Sequence, residues 1–164
     1  MNLPKNTILT FNSICKTKIG KDLLERVFDE NYGTSADVDD TCLYMGDGIY
    51  EALAEIIPKG RVIYDFGASY GFQSWHFRNH KKYIAIQPEH SNTAMPDNTR
   101  FRTDNSIWFM GTIKQFFDKF TIEQGSFAIC NAVPSTEVEL VRKNCPYLYV
   151  NYPEGVDNLG KELL

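Results

Sequence analysis

The sequence predicts an α/β fold: a three-layer sandwich around a mostly parallel sheet of about five strands, preceded by N-terminal helices. Three observations predict it. From Arg61 onward, short apolar runs alternate with segments of helical periodicity, the order that βαβ crossovers produce. The first of these runs, "RVIYDFGASYGFQS", ends on an acid, Asp65, followed by Gly67 and Gly71, as at a strand–turn–helix junction. The chain has 164 residues, 43% hydrophobic and 23% charged, enough for one domain with a sizeable core.

The elements follow in order. Residues 1–57 form a helical N-terminal extension, 58–153 the α/β core and 154–164 a tail of one single domain. "GKDLLERVFDENYG" (Gly20–Gly33) carries Leu23, Leu24, Val27 and Phe28 at helical spacing. The acidic "TSADVDDT" reads as a loop. "GDGIYEALAEIIPKG" (Gly46–Gly60) is a second helix, with Ile49, Leu53, Ile56 and Ile57 as its apolar stripe and Pro58 and Gly60 as its stop. "RVIYDFG" is the first strand and "GFQSWHFRNH" (Gly71–His80) the helix after it. "KKYIAIQP" (Lys81–Pro88) and "TRFRTD" (Thr99–Asp104) are strands. "SIWFMGTIKQFFDKF" (Ser106–Phe120) is a helix through Ile107, Met110, Ile113 and Phe117, with Ser106 as its N-cap. "SFAICNAVP" (Ser126–Pro134) and "PYLYVNYP" (Pro146–Pro153) are the last strands, joined by a helix over Ser135–Asn144.

In such sheets ligands bind outside the carboxyl ends of the strands, near the point where strand order reverses. Gly67 permits a tight turn there and Gly71 close packing of the next helix, so that a ligand can lie against backbone N–H groups at the helix start. Gln87 follows Asp65 by 22 positions, at the end of the second strand, where nucleoside-binding α/β folds place an acid that holds ribose hydroxyls. An amide there donates and accepts hydrogen bonds without charge.

"VIYDFGASYGFQSWHF" followed by "YIAIQPE" resembles the first two motifs of class I S-adenosylmethionine-dependent methyltransferases, with the FkbM-type group as the nearest flavour. The resemblance spans Ile49–Asp104 and, by pattern, Ser126–Tyr152. It implies a Rossmann-like sheet and S-adenosylmethionine as cofactor. It places Asp65, Gly67, Ala68, Ser69 and Gly71 around the methionine part, Gln87 at the ribose and Asp104 at the adenine, with Asn105 and Ser106 beside it. Asn131 would stand next to the transferred methyl and orient the acceptor. The chain departs from the pattern in three places: Gln87 replaces the ribose acid, the fourth motif has Asn131 without an acid, and few residues follow the last strand. Two functions therefore fit the residues. One is an S-adenosylmethionine-dependent methyltransferase with an unidentified acceptor. The other is a catalytically inactive module on the same fold that engages a protein partner or senses a nucleoside, with a sheet edge left open beside the last strand for a partner or a second copy.

The totals exclude other classes. A net charge of -4 argues against nucleic acid as partner, because phosphate binding needs a concentrated basic face. The start, "MNLPKNTILTF", does not read as a secretory signal, and no apolar run approaches the roughly 18 residues that span a bilayer, so a cytoplasmic protein is expected. Cys15, Cys42, Cys130 and Cys145 lie far apart and read as reduced thiols. His76 and His80 share a helical face at i and i+4 but have no third ligand, so no metal is expected. Trp75, Trp108, Phe109, Phe116 and Phe117 read as core, and "RNHKK" as a solvated helix end.

Overall fold

The computed structural model describes residues 3–22, 49–68, 72–88, 103–131 and 133–151. Most of the helix expected over Gly20–Gly33, the acidic loop after it, Ser69, Gly71 and the tail from 154 lie outside the described residues. The elements are β1 (Thr7–Thr10), α1 (Phe11–Lys16), α2 (residues 49–56), β2 (Val62–Phe66), a 3₁₀ helix (Phe72–Phe77), β3 (Lys82–Gln87), β4 (Ser106–Met110), α3 (Ile113–Lys119), β5 (Phe127–Asn131), α4 (Ser135–Asn144) and β6 (Tyr147–Asn151).

The six strands make one sheet in the order β1-β6-β5-β2-β3-β4, every pair parallel. This is the expected Rossmann-like α/β architecture. Apolar clusters cover both faces. On one face Ile63, Tyr83, Ala85, Phe127, Ile129 and Tyr149 pack against Ile14 of α1, the α2 stripe and Phe77. On the other Tyr64, Phe66, Ile86, Ala128, Cys130 and Val150 pack against Ile113 and Phe116 of α3 and Val138 and Val141 of α4. β2 lies at the centre with all five residues buried, and a parallel strand between two helical layers needs such an unbroken apolar run.

Two departures from the sequence reading matter. The N-terminal extension contains a strand. β1 pairs in parallel with β6, Thr7 opposite Tyr147 through Thr10 opposite Val150, so the edge expected to stand open beside the last strand is filled from the other end of the chain. Thr10 then starts α1 through a capping box with Ser13.

The second departure is at Ser106–Phe120, read as one helix. Its first five residues are β4, registered on β3 from Tyr83 opposite Ser106 to Gln87 opposite Met110. Ile107, Trp108 and Phe109 are a run of β-branched and aromatic residues, which favour strands. The helical spacing of Ile107, Met110 and Ile113 arose by chance across a strand–helix junction. Gly111 makes the junction, its N–H donating to the Gln87 carbonyl at 2.9 Å. Thr112, not Ser106, is the N-cap: it shares a capping box with Gln115, and the Ser106 hydroxyl donates instead to the Thr103 carbonyl.

Candidate functional site

Strand order places the site. Chain order runs outward from β2 through β3 and β4 on one side, then returns to β5 and runs outward through β6 on the other. The reversal lies between β2 and β5, where ligands of open α/β sheets gather at the strands' carboxyl ends. Asp65 and Gly67 end β2 there, and Asn131 ends β5. Gly67 has φ +73°, a left-handed conformation that suits glycine.

Asp65 is fully buried, on the face covered by α2 and the 3₁₀ helix. Its strand neighbours are Ala85 on β3 and Ile129 on β5. The small side chain of Ala85 leaves room for Tyr83, two residues back on the same face, to reach across diagonally. The Tyr83 hydroxyl donates to Asp65 Oδ2 in a short hydrogen bond. Gln73, from the 3₁₀ helix, donates through Nε2 to the same oxygen at 2.8 Å and to the Ala68 carbonyl at 2.7 Å. Asp65 Oδ1 has no hydrogen-bond partner among the described residues. Phe77 lies flat on Tyr83, centroids 5.6 Å apart, and meets the edge of Tyr50. This aromatic layer keeps water from the carboxyl group.

Burial pushes the Asp65 carboxyl up from 3.8 to about 7, against the opposing pull of the Tyr83 and Gln73 donors. The Tyr50 and Tyr83 phenols are pushed up as well, first by burial and then by Asp65. Tyr50 hydrogen-bonds with the Asn131 side chain, so the end of β5 is tied to α2.

The expected cofactor residues fall into three groups. Asp65, Gly67, Ala68, Gln87 and Asn131 all stand at the carboxyl edge of the sheet. Ser69 and Gly71 lie outside the described residues. Asp104 is separated from the rest: the strand begins two residues after it, so it sits at the amino edge, where Asn105 donates to the Phe77 and His80 carbonyls. Of the strand expected over Thr99–Asp104 only Thr103 and Asp104 are described, ahead of β4, whose carboxyl end is Met110, followed by Gly111 and Thr112. The expectation that turn N–H groups face a ligand is also corrected for two residues. Gly67 and Ala68 both donate to the Ile86 carbonyl, at 2.8 and 3.2 Å.

Gln73, Tyr83 and Tyr50 were missed. The signal for Gln73 is an amide on a helix start otherwise rich in aromatic residues, and that for Tyr83 is its place on the Asp65 face of the next strand. The 3₁₀ geometry also separates His76 from His80. His80 is buried, with its Nε2 3.0 Å from the Ile57 carbonyl, so the middle of the "RNHKK" segment turns into the core while Arg78, Asn79 and Lys81 stay exposed. Among the described residues no three His, Cys, Asp or Glu side chains gather as for a metal ion, and no helix is long and apolar enough to cross a membrane.

No family model matches the sequence, and no curated protein matches it. Solved structures do show likeness. The Pyrococcus horikoshii protein PH1948, assigned as an RNA methyltransferase, superposes with a TM-score of 0.47 at 14% identity, over 84% of this chain and 77% of its own. CalO1, a methyltransferase of calicheamicin biosynthesis in its SAH-bound form, gives 0.41 at 12% identity over 87% of this chain, which spans 54% of CalO1. At such scores and identities the likeness carries no inference about chemistry.

Proposed function

We propose that the chain is an S-adenosylmethionine-dependent methyltransferase whose cofactor would lie across the carboxyl ends of β2, β3 and β5. The observation that supports this is the coincidence of a buried acid, Asp65, and a left-handed glycine, Gly67, with the point where strand order reverses. S-adenosylmethionine supplies a methyl group already activated on a sulfonium, which leaves the protein the tasks of binding and alignment. In this reading Gln87 meets the ribose hydroxyls with an uncharged amide, and Asn131, steadied by Tyr50, orients the acceptor. Asp104 has no part in it.

A second reading has its own observation. The N–H groups of Gly67 and Ala68 are already committed to Ile86, and Val133 lies against Gly67. A turn closed in this way suits a non-catalytic module that uses the fold for partner or nucleoside binding. Calorimetric titration with S-adenosylmethionine and S-adenosylhomocysteine separates the two. Heat of binding to the wild-type chain, weakened by Gly67→Val in a variant whose circular dichroism is unchanged, supports the cofactor site. Absence of heat and of any thermal shift at saturating ligand removes the methyltransferase.

A further inference from the structure

The buried carboxyl group at the reversal point holds more than a ligand site requires. Gln73 Nε2 touches two acceptors at once, Asp65 Oδ2 and the Ala68 carbonyl. It thereby couples the ionisation state of a strand residue to the first turn after the strand. The Gly67 and Ala68 N–H groups, both donating to the Ile86 carbonyl, hold the same turn from the other side.

We propose that Asp65 is a proton-operated latch on the turn after β2: as a carboxylate it grips Gln73 and, through it, the Ala68 carbonyl, and taking up a proton loosens that grip. The chemistry follows from which oxygen is free. Oδ2 accepts from both Gln73 and Tyr83, whereas Oδ1 has no partner among the described residues, so an arriving proton settles on Oδ1 at least cost. Oδ2 then becomes a neutral carbonyl oxygen. Bonds to an ionised acceptor are roughly twice as strong as neutral ones, so both donors are weakened together.

The groups acting on Asp65 suit such a device. From β3 comes the Tyr83 hydroxyl, from the 3₁₀ helix the Gln73 amide and from α2 the Tyr50 phenol, all of them neutral at pH 7, and the Cys130 thiol on the opposite face of the sheet is neutral as well. Among the described residues no cation acts on the carboxyl group to hold it ionised. Burial places its titration at about 7, where small changes of pH shift the balance. The latch needs no ligand and stands or falls separately from the function proposed above.

Nuclear magnetic resonance of the full chain, without ligand, tests it. The Asp65 carboxyl carbon, the Gln73 side-chain amide and the Gly67 and Ala68 backbone amides are followed across the neutral range. The expected result is one shared midpoint near 7, with hydrogen exchange at the two turn amides several-fold faster on the acid side after correction for intrinsic rates. In Asp65→Asn the pH dependence at Gln73 and the turn should vanish. In Gln73→Ala the carboxyl should still titrate while the turn no longer follows. Titration of Asp65 in the ordinary carboxylate range overturns the proposal, as does a Gln73 amide that ignores the Asp65 midpoint. Should Asp65→Asn fail to fold, the shared or separate midpoints of the wild-type chain decide alone.

Discussion

Val133 Cγ2 stands 3.2 Å from where a Cβ on Gly67 would lie, so Val133, two residues past the end of β5, closes over the turn at the end of β2. Two independent costs therefore meet at Gly67. A side chain there must adopt φ +73°, which costs about 1–2 kcal/mol for an ordinary L-residue. It must also push Val133 aside. Gly67→Ala is expected to lower stability by about 1–3 kcal/mol in urea unfolding. Adding Val133→Ala should recover only the packing share, leaving the backbone share intact. Full recovery in the double variant would show that strain at Gly67 is not the main cost.

Asp65 sets a pH dependence of unusual sign. Its carboxyl group titrates at 3.8 when unfolded-like and at about 7 in the fold, so between those values the native state holds the extra proton. Stability from this group is therefore complete below 3.8 and is lost as pH rises through 7. The local slope reaches about 1.4 kcal/mol per pH unit, and the total is of order 4 kcal/mol as an upper bound. His80 acts in the other direction. Burial lowers its pKa below 6.5, so its contribution is present above 6.5 and is lost as pH falls. Denaturant unfolding at a series of pH values should show a decline between pH 5 and 7 in the wild-type chain. Asp65→Asn should flatten it. An Asn variant with an unchanged profile would remove Asp65 as its source.

Tyr83 offers a sharper check of the same carboxyl group. Tyr83→Phe deletes one donor to Asp65 Oδ2 and leaves the Phe77 stack in place. A hydrogen bond to a charged acceptor contributes about 1.5–3 kcal/mol, a neutral one about 1. The cost of Tyr83→Phe should thus be larger above pH 7 than below it, and the apparent Asp65 midpoint should rise. A cost independent of pH would mean that the phenol is merely filling space.

The layered α/β fold was legible because its signal is repetitive: β2, β3, β5 and β6 each fall within an apolar run bounded by turn residues. What was illegible depended on contacts between distant residues. β1 is four residues long and stands as a strand because β6 accepts it, a pairing no local pattern announces. At β4, one strand and one helix together imitated a single apolar stripe, and Asp104 lies at the amino rather than the carboxyl edge of the sheet. The Asp65, Gly67, Gln87 and Asn131 positions were legible from strand ends alone. Gln73 and Tyr83 were not, because their roles depend on a diagonal reach across strands and on a 3₁₀ rather than an α-helical turn.

The 3₁₀ geometry yields the last prediction. With three residues per turn rather than 3.6, Phe72–Phe77 turns Trp75 outward and Phe77 inward. Trp75, expected in the core, is 59% exposed, with the Arg78 guanidinium 4.0 Å above its ring, whereas Phe77 is completely buried between Tyr83 and His80. An exposed cation–π pair contributes about 0.5–1 kcal/mol, whereas truncating a buried phenylalanine costs about 3–5 kcal/mol. Trp75→Ala should therefore shift the unfolding midpoint slightly, and Phe77→Ala should approach loss of the fold, with Phe77→Leu as the measurable substitute. Intrinsic fluorescence gives a second readout: Trp75 should be open to iodide quenching in the folded chain, and Trp75→Phe should remove that quenchable fraction. A wild-type Trp75 shielded from iodide, or a Trp75→Ala cost equal to that of Phe77→Leu, would restore it to the core and with it a regular α-helix after β2.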